Sequence, residues 1–402
     1  MSSTPNHVLV IGAGLGGIRT VEALRSEGYT GRISLVGSEN HLPYDRPPLS
    51  KQVLSGQWEP ERASLVDHST LDGLDIDLLL GRTVVELGED SALLSDGVSI
   101  IADAFVIATG SRARRIPGQP EEMKTLRTLD DSIALKKQLE SSQSVLIVGA
   151  GFIGTEIASA AVGHGAHVVM VEAMPTPFAR TLGIEVGYLT SALIRENGVE
   201  LLCDTALTGF LPSDDGVAIS VAGGEVLRAD LGVVGIGGIP ETEWLEGSNL
   251  VLDNGIRCDH TGRAYGRQNV WAIGDAAAWL DTSSASHTRC EHWNSTISQA
   301  KSVASSISGV VPDPQPVPYF WSDQFGLKIQ VFGRPEGADA VEQLHGSGIT
   351  GGAVKGSVLG HFLDGRLTAV TAFGAPRYAM RYRQAIEEGT ERPRVAELAA
   401  SL

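Results

Sequence analysis

Apolar residues recur along this chain in short β-branched runs that end on glycine, and two of these runs match each other. HVLVIGAGLGGIRTVEALRSEG, residues 7–28, continues into RISLVGSE, and SVLIVGAGFIGTEIASAAVGHG, residues 144–165, continues into HVVMVEA. Each reads as a buried strand, a glycine turn, a helix and a second strand. The repeat predicts two nucleotide-binding units. Between them, ENHLPYDRPPLSK is too rich in proline for regular helix or central strand and reads as a shaped loop. IIADAFVIATGSR and NVWAIGDAAAW are further buried strands ending on glycine corners. VVPDPQPVPYFW reads as a linker into a last segment. There LKIQVFG, GSVLGHFLDG and RLTAVTAFG predict a small antiparallel sheet, and APRYAMRYRQAIEEG a closing helix.

Composition narrows the function classes. A chain of 402 residues with 42% hydrophobic and 20% charged residues is globular and large enough for two or three domains. The net charge of −17 opposes unaided binding to nucleic acid or an anionic membrane, so neither is expected as a partner. The first residues carry no basic, apolar leader and no run approaches a bilayer span, which gives a cytoplasmic expectation. Cys203, Cys258 and Cys290 form no CxxC, so a redox-active dithiol is not available. His287, Cys290 and His292 in HTRCEHW are too few ligands for a metal site, and no metal is expected.

Gly12, Gly14 and Gly17 follow a strand and open a helix, which is the context that makes GxGxxG a pyrophosphate site. Backbone N–H groups of the turn and the helix N-terminus meet the negative charge, and the third glycine lets helix pack on strand. Gly149, Gly151 and Gly154 repeat the arrangement. An acid at the end of the second strand accepts from an adenosine ribose, and Glu172 holds that place in the second unit. Its carboxylate would repel the 2′-phosphate of NADP, favouring NADH, with Arg180 nearby as the residue that could take a phosphate instead. In the first unit the ribose contact is either Ser38 or Glu39.

The pieces GAGLGG, LPYDRPPLSK, ATGSR, GAGFIGTE, VVGIG, AIGDAA, CEHWN and PYFWSDQF, spread over three quarters of the chain, resemble the NADH-dependent ferredoxin reductases of bacterial oxygenases and P450s. The apoptosis-inducing factors are more distant relatives. The resemblance implies an α/β, glutathione-reductase-like flavoprotein. It would have a discontinuous FAD-binding domain at 1–113 and 241–316, an NAD-binding domain at 114–240 and a C-terminal α+β domain at 317–402. It also implies that Arg46, Lys51, Thr109, Arg127, Gly274 and Asp275 hold FAD, and that Gly237 of VVGIG belongs to the cofactor site. Lys51 and Glu156 are implied to pair and to orient the nicotinamide, and Trp293 and Trp321 to cover the flavin. Most of the family has Asp at the position of Ser38.

The expected activity is hydride transfer from NADH to FAD, followed by single-electron transfer to a [2Fe–2S] ferredoxin that feeds an oxygenase or P450. The alternatives are an NADH oxidase or a quinone or dye reductase, and an NADH-sensing interaction protein of the apoptosis-inducing kind. Two basic clusters could dock the ferredoxin: Arg112, Arg114 and Arg115, or Arg377, Arg381 and Arg383 at the start of the last helix. The second is preferred because it belongs to the C-terminal domain. A monomer or weak dimer is expected.

Overall fold

The computed structural model describes residues 4–282 and 285–401. The chain divides into two compact units, one made of Met1–Asp45, Ala63–Arg112 and Gly238–Pro316, the other of Arg46–Arg62, Ala113–Gly237 and Val317–Leu402.

The first unit is built around β1 (His7–Ile11), α1 (Leu15–Ser26) and β2 (Arg32–Val36). Its sheet runs Val270–Ala272, Ala104–Ile107, β1, β2, Asp77–Leu79, every pair parallel. This is half of a doubly wound fold, and ligands bind outside the carboxyl ends of its central strands. A sheet covered on both faces demands near-continuous apolar strands, which is why HVLVI shows no alternation. Val8, Leu9 and Val10 are fully buried, and Ile18, Val21 and Leu24 bring one stripe of α1 onto them. The helix Trp293–Ile307 adds Ala300, Val303, Ala304 and Ile307 to the same core.

The second unit repeats the motif as β3 (Ser144–Val148), α2 (Phe152–Gly163) and β4 (His167–Val171). Its parallel sheet runs Glu200–Leu202, β4, β3, Leu231–Val234, Met123–Lys124. The last segment of this unit is a five-stranded antiparallel sheet, beginning with β5 (Tyr319–Gln324). The other strands, in spatial order, are Leu327–Gly333, Arg366–Phe373, Val358–Leu363 and Ala340–His345.

Two expectations need correction here. The small sheet has two strands more than the three runs read from the sequence, because YFWSDQ and AVEQLH lie at its edges with half-buried faces and a weak apolar signal. APRYAMRYRQAIEEG is not one closing helix. It forms Pro376–Arg381 and Arg383–Glu387, divided at the buried Tyr382, and the last helix is Arg392–Ser401. The basic cluster therefore does not start the last helix. Among the described residues no helix is long and apolar enough to cross a membrane.

Candidate functional site

The two glycine turns share one geometry. Gly12 N–H donates to Val36 O at 2.7 Å and Gly149 N–H to Val171 O at 2.8 Å, tying each turn to the neighbouring strand. Gly12 sits at φ +114° with its missing Cβ pointed 2.2 Å from Ala108 O, so any side chain there would both strain the backbone and strike the next strand. A Cβ on Gly17 would lie 1.9 Å from Gly12 O, and one on Gly154 would lie 2.1 Å from Gly149 O. Helix and strand can approach this closely only through glycine. By contrast, a Cβ on Gly14 would meet nothing within 4 Å and one on Gly151 only Gly235 O at 3.9 Å. The middle glycines thus face open space at the N-termini of twelve-residue helices that have no acid in their first turn. Both cradles fit a dinucleotide pyrophosphate.

The acids beyond the strands are placed differently. Glu172 accepts from Ala150 N–H at 2.8 Å and Met174 N–H at 2.9 Å, one bond to each oxygen. A carboxylate has about four acceptor positions, so two remain for hydroxyls. The position after β2 that corresponds to Glu172 is Gly37, where a Cβ would fall 2.5 Å from Ala13 Cβ. No carboxylate fits there, which moves the polar group to exposed Ser38 or half-buried Glu39. Glu39 Oε2 accepts from the Tyr44 hydroxyl at 2.6 Å.

The loop that carries Lys51 forms a 3-10 turn, Pro47–Ser50, whose prolines preset its φ angles. Lys51 Nζ lies 2.8 Å from Glu156 Oε1, with side chains only 11% and 3% exposed, and also donates to Pro47 O at 3.1 Å. Ser50 Oγ donates to Glu156 Oε2 and Ser322 Oγ to Glu156 Oε1. Glu156 therefore occupies no solvated helix surface. It is a buried carboxylate held by three donors, in the setting that makes a buried ion pair tolerable. Ser132 Oγ donates to Leu49 O at 2.6 Å and fixes the loop to the helix Leu129–Leu139.

Of the other residues singled out in the sequence, Arg46 donates to Arg127 O, and Arg127 N–H donates to Asp131 Oδ2 at 2.9 Å within the same unit. In the first unit Thr109 Oγ1 donates to Glu241 O at 2.9 Å. Gly274 N–H donates to Gln299 Oε1 at 2.8 Å, while Asp275 accepts from Ser111 Oγ at 3.0 Å. Trp293 Nε1 donates to Asp45 Oδ1 at 2.7 Å. In the second unit Trp321 stacks on Tyr319, centroids 5.9 Å apart, with Lys328 Nζ 5.6 Å from its ring. Gly237 has φ +97° with open space at its Cβ, and Arg180 is exposed.

The three cysteines form no disulfide with one another. Burial pushes the Cys203 and Cys258 thiols up, away from the thiolate form. Arg112 pairs with Glu241 at 3.1 Å and with Glu243, and Arg115 lies 3.4 Å from Glu121, so much of that basic cluster is neutralised. Arg383 pairs with Glu387 at 3.3 Å. Arg377 and Arg381 are exposed, four residues apart on one short helix, beside exposed Tyr378 and Met380.

Sequence reasoning passed over Ser50, Ser322, Tyr44 and Asp45. Ser50 stands inside RPPLSK and Ser322 inside WSDQF, but a serine on a turn or edge strand carries no pattern that distinguishes a donor to a buried carboxylate from a solvated hydroxyl.

The profile of the pyridine nucleotide-disulphide oxidoreductase family matches residues 6–300, and a reductase C-terminal domain matches 319–401. The chain is 37% identical to the ferredoxin–NAD(+) reductase subunit of the benzene 1,2-dioxygenase system of Pseudomonas putida, covering 92% of this chain and 90% of that protein. It is 35% identical to rhodocoxin reductase of Rhodococcus erythropolis, over 98% and 92%. The crystal structure of the covalent putidaredoxin reductase–putidaredoxin complex matches with a TM-score of 0.91 and 29% identity, over 97% of this chain and 95% of that one. With two pyrophosphate cradles, and matches of this extent at both levels, the chain belongs to the pyridine nucleotide-disulphide oxidoreductase family and, within it, to the NAD-dependent ferredoxin reductases, oxidoreductases of FAD and NAD.

Proposed function

We propose that this protein takes hydride from NADH onto FAD and passes electrons singly to a [2Fe–2S] ferredoxin that serves an oxygenase or P450. The observation that carries this reading is the duplicated cradle, one in each unit, in a chain whose three cysteines lie far apart in sequence and form no CxxC, so that no protein dithiol stands ready to receive electrons. When bound, FAD supplies a carrier that accepts two electrons together and releases them one at a time.

The chain's own part is to bind and orient. In the first unit the N–H groups at Gly12, Gly14 and Gly17 hold the FAD pyrophosphate. Ser38 or Glu39 takes its ribose, and Thr109, Gly274, Asp275 and Trp293 hold the rest. In the second, Gly149, Gly151 and Gly154 hold NADH and Glu172 reads its ribose hydroxyls, with Gly237 leaving room for the ligand and Arg180 at its margin. Arg46, Lys51, Arg127 and Trp321 are assigned to FAD, and the Lys51–Glu156 pair to placing the nicotinamide. The domain boundaries implied by this reading are 1–113 with 241–316 for FAD, 114–240 for NAD and 317–402 for the C-terminal domain.

Ferredoxin docks at Arg377 and Arg381, whose charges stand without an ion pair among the described residues, with Arg383 contributing less because Glu387 neutralises it. The enzyme is assigned to the cytoplasm, where NADH is supplied, as a monomer or weak dimer. An anaerobic titration tests the whole reading. One equivalent of NADH should bleach the flavin, and two equivalents of oxidised [2Fe–2S] ferredoxin should restore it. A protein that holds no FAD, or whose reduced flavin reacts with oxygen or quinone but not with any ferredoxin, would overturn it.

A further inference from the structure

The buried cluster around Glu156 is drawn from three separate parts of the second unit. Lys51 and Ser50 come from the proline loop, Glu156 from α2, and Ser322 and Gln324 from β5 in the C-terminal segment. The exposures of Glu156, Ser50, Ser322 and Gln324 are 4%, 3%, 1% and 0%, so the polar atoms have little access to water. The bonds have a direction. Gln324 Nε2 donates to Ser322 Oγ at 2.9 Å, and Ser322 Oγ–H donates to Glu156 Oε1, the same oxygen that faces Lys51 Nζ. Because the amide occupies one acceptor position of the Ser322 oxygen, one of the two rotations that would carry its proton away from the carboxylate is blocked.

Ser50 is next to Lys51 in the chain, so its bond ties Glu156 to the same loop that carries the ammonium. Ser322 is the donor to Glu156 that is independent of the loop. β5 is secured to α2 a second time, one helical step on, by Phe325 N–H donating to Ser159 Oγ at 2.8 Å. Glu156 and Ser159 thus lie on one face of α2 and both receive bonds from the end of β5. A buried charged cluster is poor value for stability alone, since apolar packing of equal volume serves as well or better. What such a network secures is the placement of its members.

We propose that Ser322, oriented by Gln324, is a positioning residue that fixes Glu156 and, through it, the Lys51 ammonium for the hydride step. This deepens the function proposed above and rests on it. It also gives the C-terminal segment a part in the NADH half-reaction, besides its part in docking.

Ser322→Ala and Ser322→Thr, purified with FAD, form the test. By rapid mixing, Ser322→Ala should lower the limiting rate of flavin reduction about tenfold, the loss expected for one donor to a charged group, with the Kd for NADH nearly unchanged. Ser322→Thr should keep most of the rate. In a Glu156→Gln background the alanine change should add little further loss, because the two act through one contact. A readout that needs no turnover is acetylation of Lys51 by acetic anhydride, followed by mass spectrometry, with and without FAD. Ser322→Ala should acetylate severalfold faster there, and Ser322→Thr should not. Wild-type acetylation in Ser322→Ala, or slowing of reduction and ferricyanide reoxidation by the same factor, would overturn the proposal. Should Ser322→Ala fail to fold, Gln324→Leu decides by the same acetylation assay, with a faster rate supporting the proposal and an unchanged one opposing it. If NADH does not reduce the wild-type flavin at all, the proposed function fails while the acetylation result still stands on its own.

Discussion

The units β1–α1–β2 and β3–α2–β4 correspond residue for residue through their turns, and then use the same helical positions in opposite ways. Position 19 of the first corresponds to 156 of the second, and 22 to 159. In α1, Arg19 and Glu22 pair with each other at 2.6 Å, partly exposed at 27% and 30%. In α2, Glu156 and Ser159 ignore each other and take partners from distant segments, Lys51, Ser50 and Ser322 for one and the Phe325 amide for the other. Position 16 differs in the same sense. A Cβ on Gly16 would press on Ile273 and Thr296 at 3.1–3.3 Å because another helix lies there, whereas its counterpart Ile153 is 40% exposed. The two units therefore share one glycine frame and differ in how the helix positions that follow it are partnered.

Substitutions in the two units should differ widely in effect. Replacing the third glycine should do most, since its Cβ would stand about 2 Å from a backbone carbonyl in either unit. Gly17→Val should yield colourless protein, whereas Gly154→Val should stay yellow but no longer bleach with NADH. A visible spectrum of each decides, and the reverse pattern would exchange the two nucleotide assignments. Next, Glu156→Ala leaves Lys51 buried and unpaired, at a cost of about 3–5 kcal/mol of stability. Chemical denaturation should show this, with NADH reduction of the flavin slowed at least as strongly as in Ser322→Ala.

Glu172→Ala should raise the KM for NADH about tenfold and narrow the preference over NADPH, by removing ribose bonds and the repulsion of a 2′-phosphate. Steady-state kinetics with both nucleotides check this, and a wild type that already prefers NADPH would refute the role given to Glu172. The double change Arg377→Glu and Arg381→Glu should raise the KM for ferredoxin severalfold, with ferricyanide turnover intact, and the wild-type KM should rise with ionic strength. An unaltered KM in the double variant would move the docking site elsewhere. Smallest of all, Arg19→Ala should change stability by less than about 0.5 kcal/mol, as surface pairs one helical step apart do. A loss comparable to that of Glu156→Ala would erase the distinction between the two helices.

The chain by itself determined both βαβ units, since apolar runs, glycine spacing and helical periodicity are local properties that pack only one way. The proline loop and the three central strands of the C-terminal sheet were legible for the same reason, and the place of Glu172 followed from its position one residue past a strand. What the tertiary structure alone decided was which polar side chains are buried together. Lys51, Glu156 and Ser322 are separated by more than a hundred residues at each step, and no local pattern marks a serine on a half-buried strand as the donor to a remote carboxylate. Helix division at Tyr382 was hidden likewise, because RYAMRYRQAIEE is uniformly helix-forming and only the burial of that ring in the core of the small domain sets the break. Periodicity records which face of an element is dry. It does not record which element comes to cover it, and the meeting of Lys51, Glu156 and Ser322 depends on that second fact.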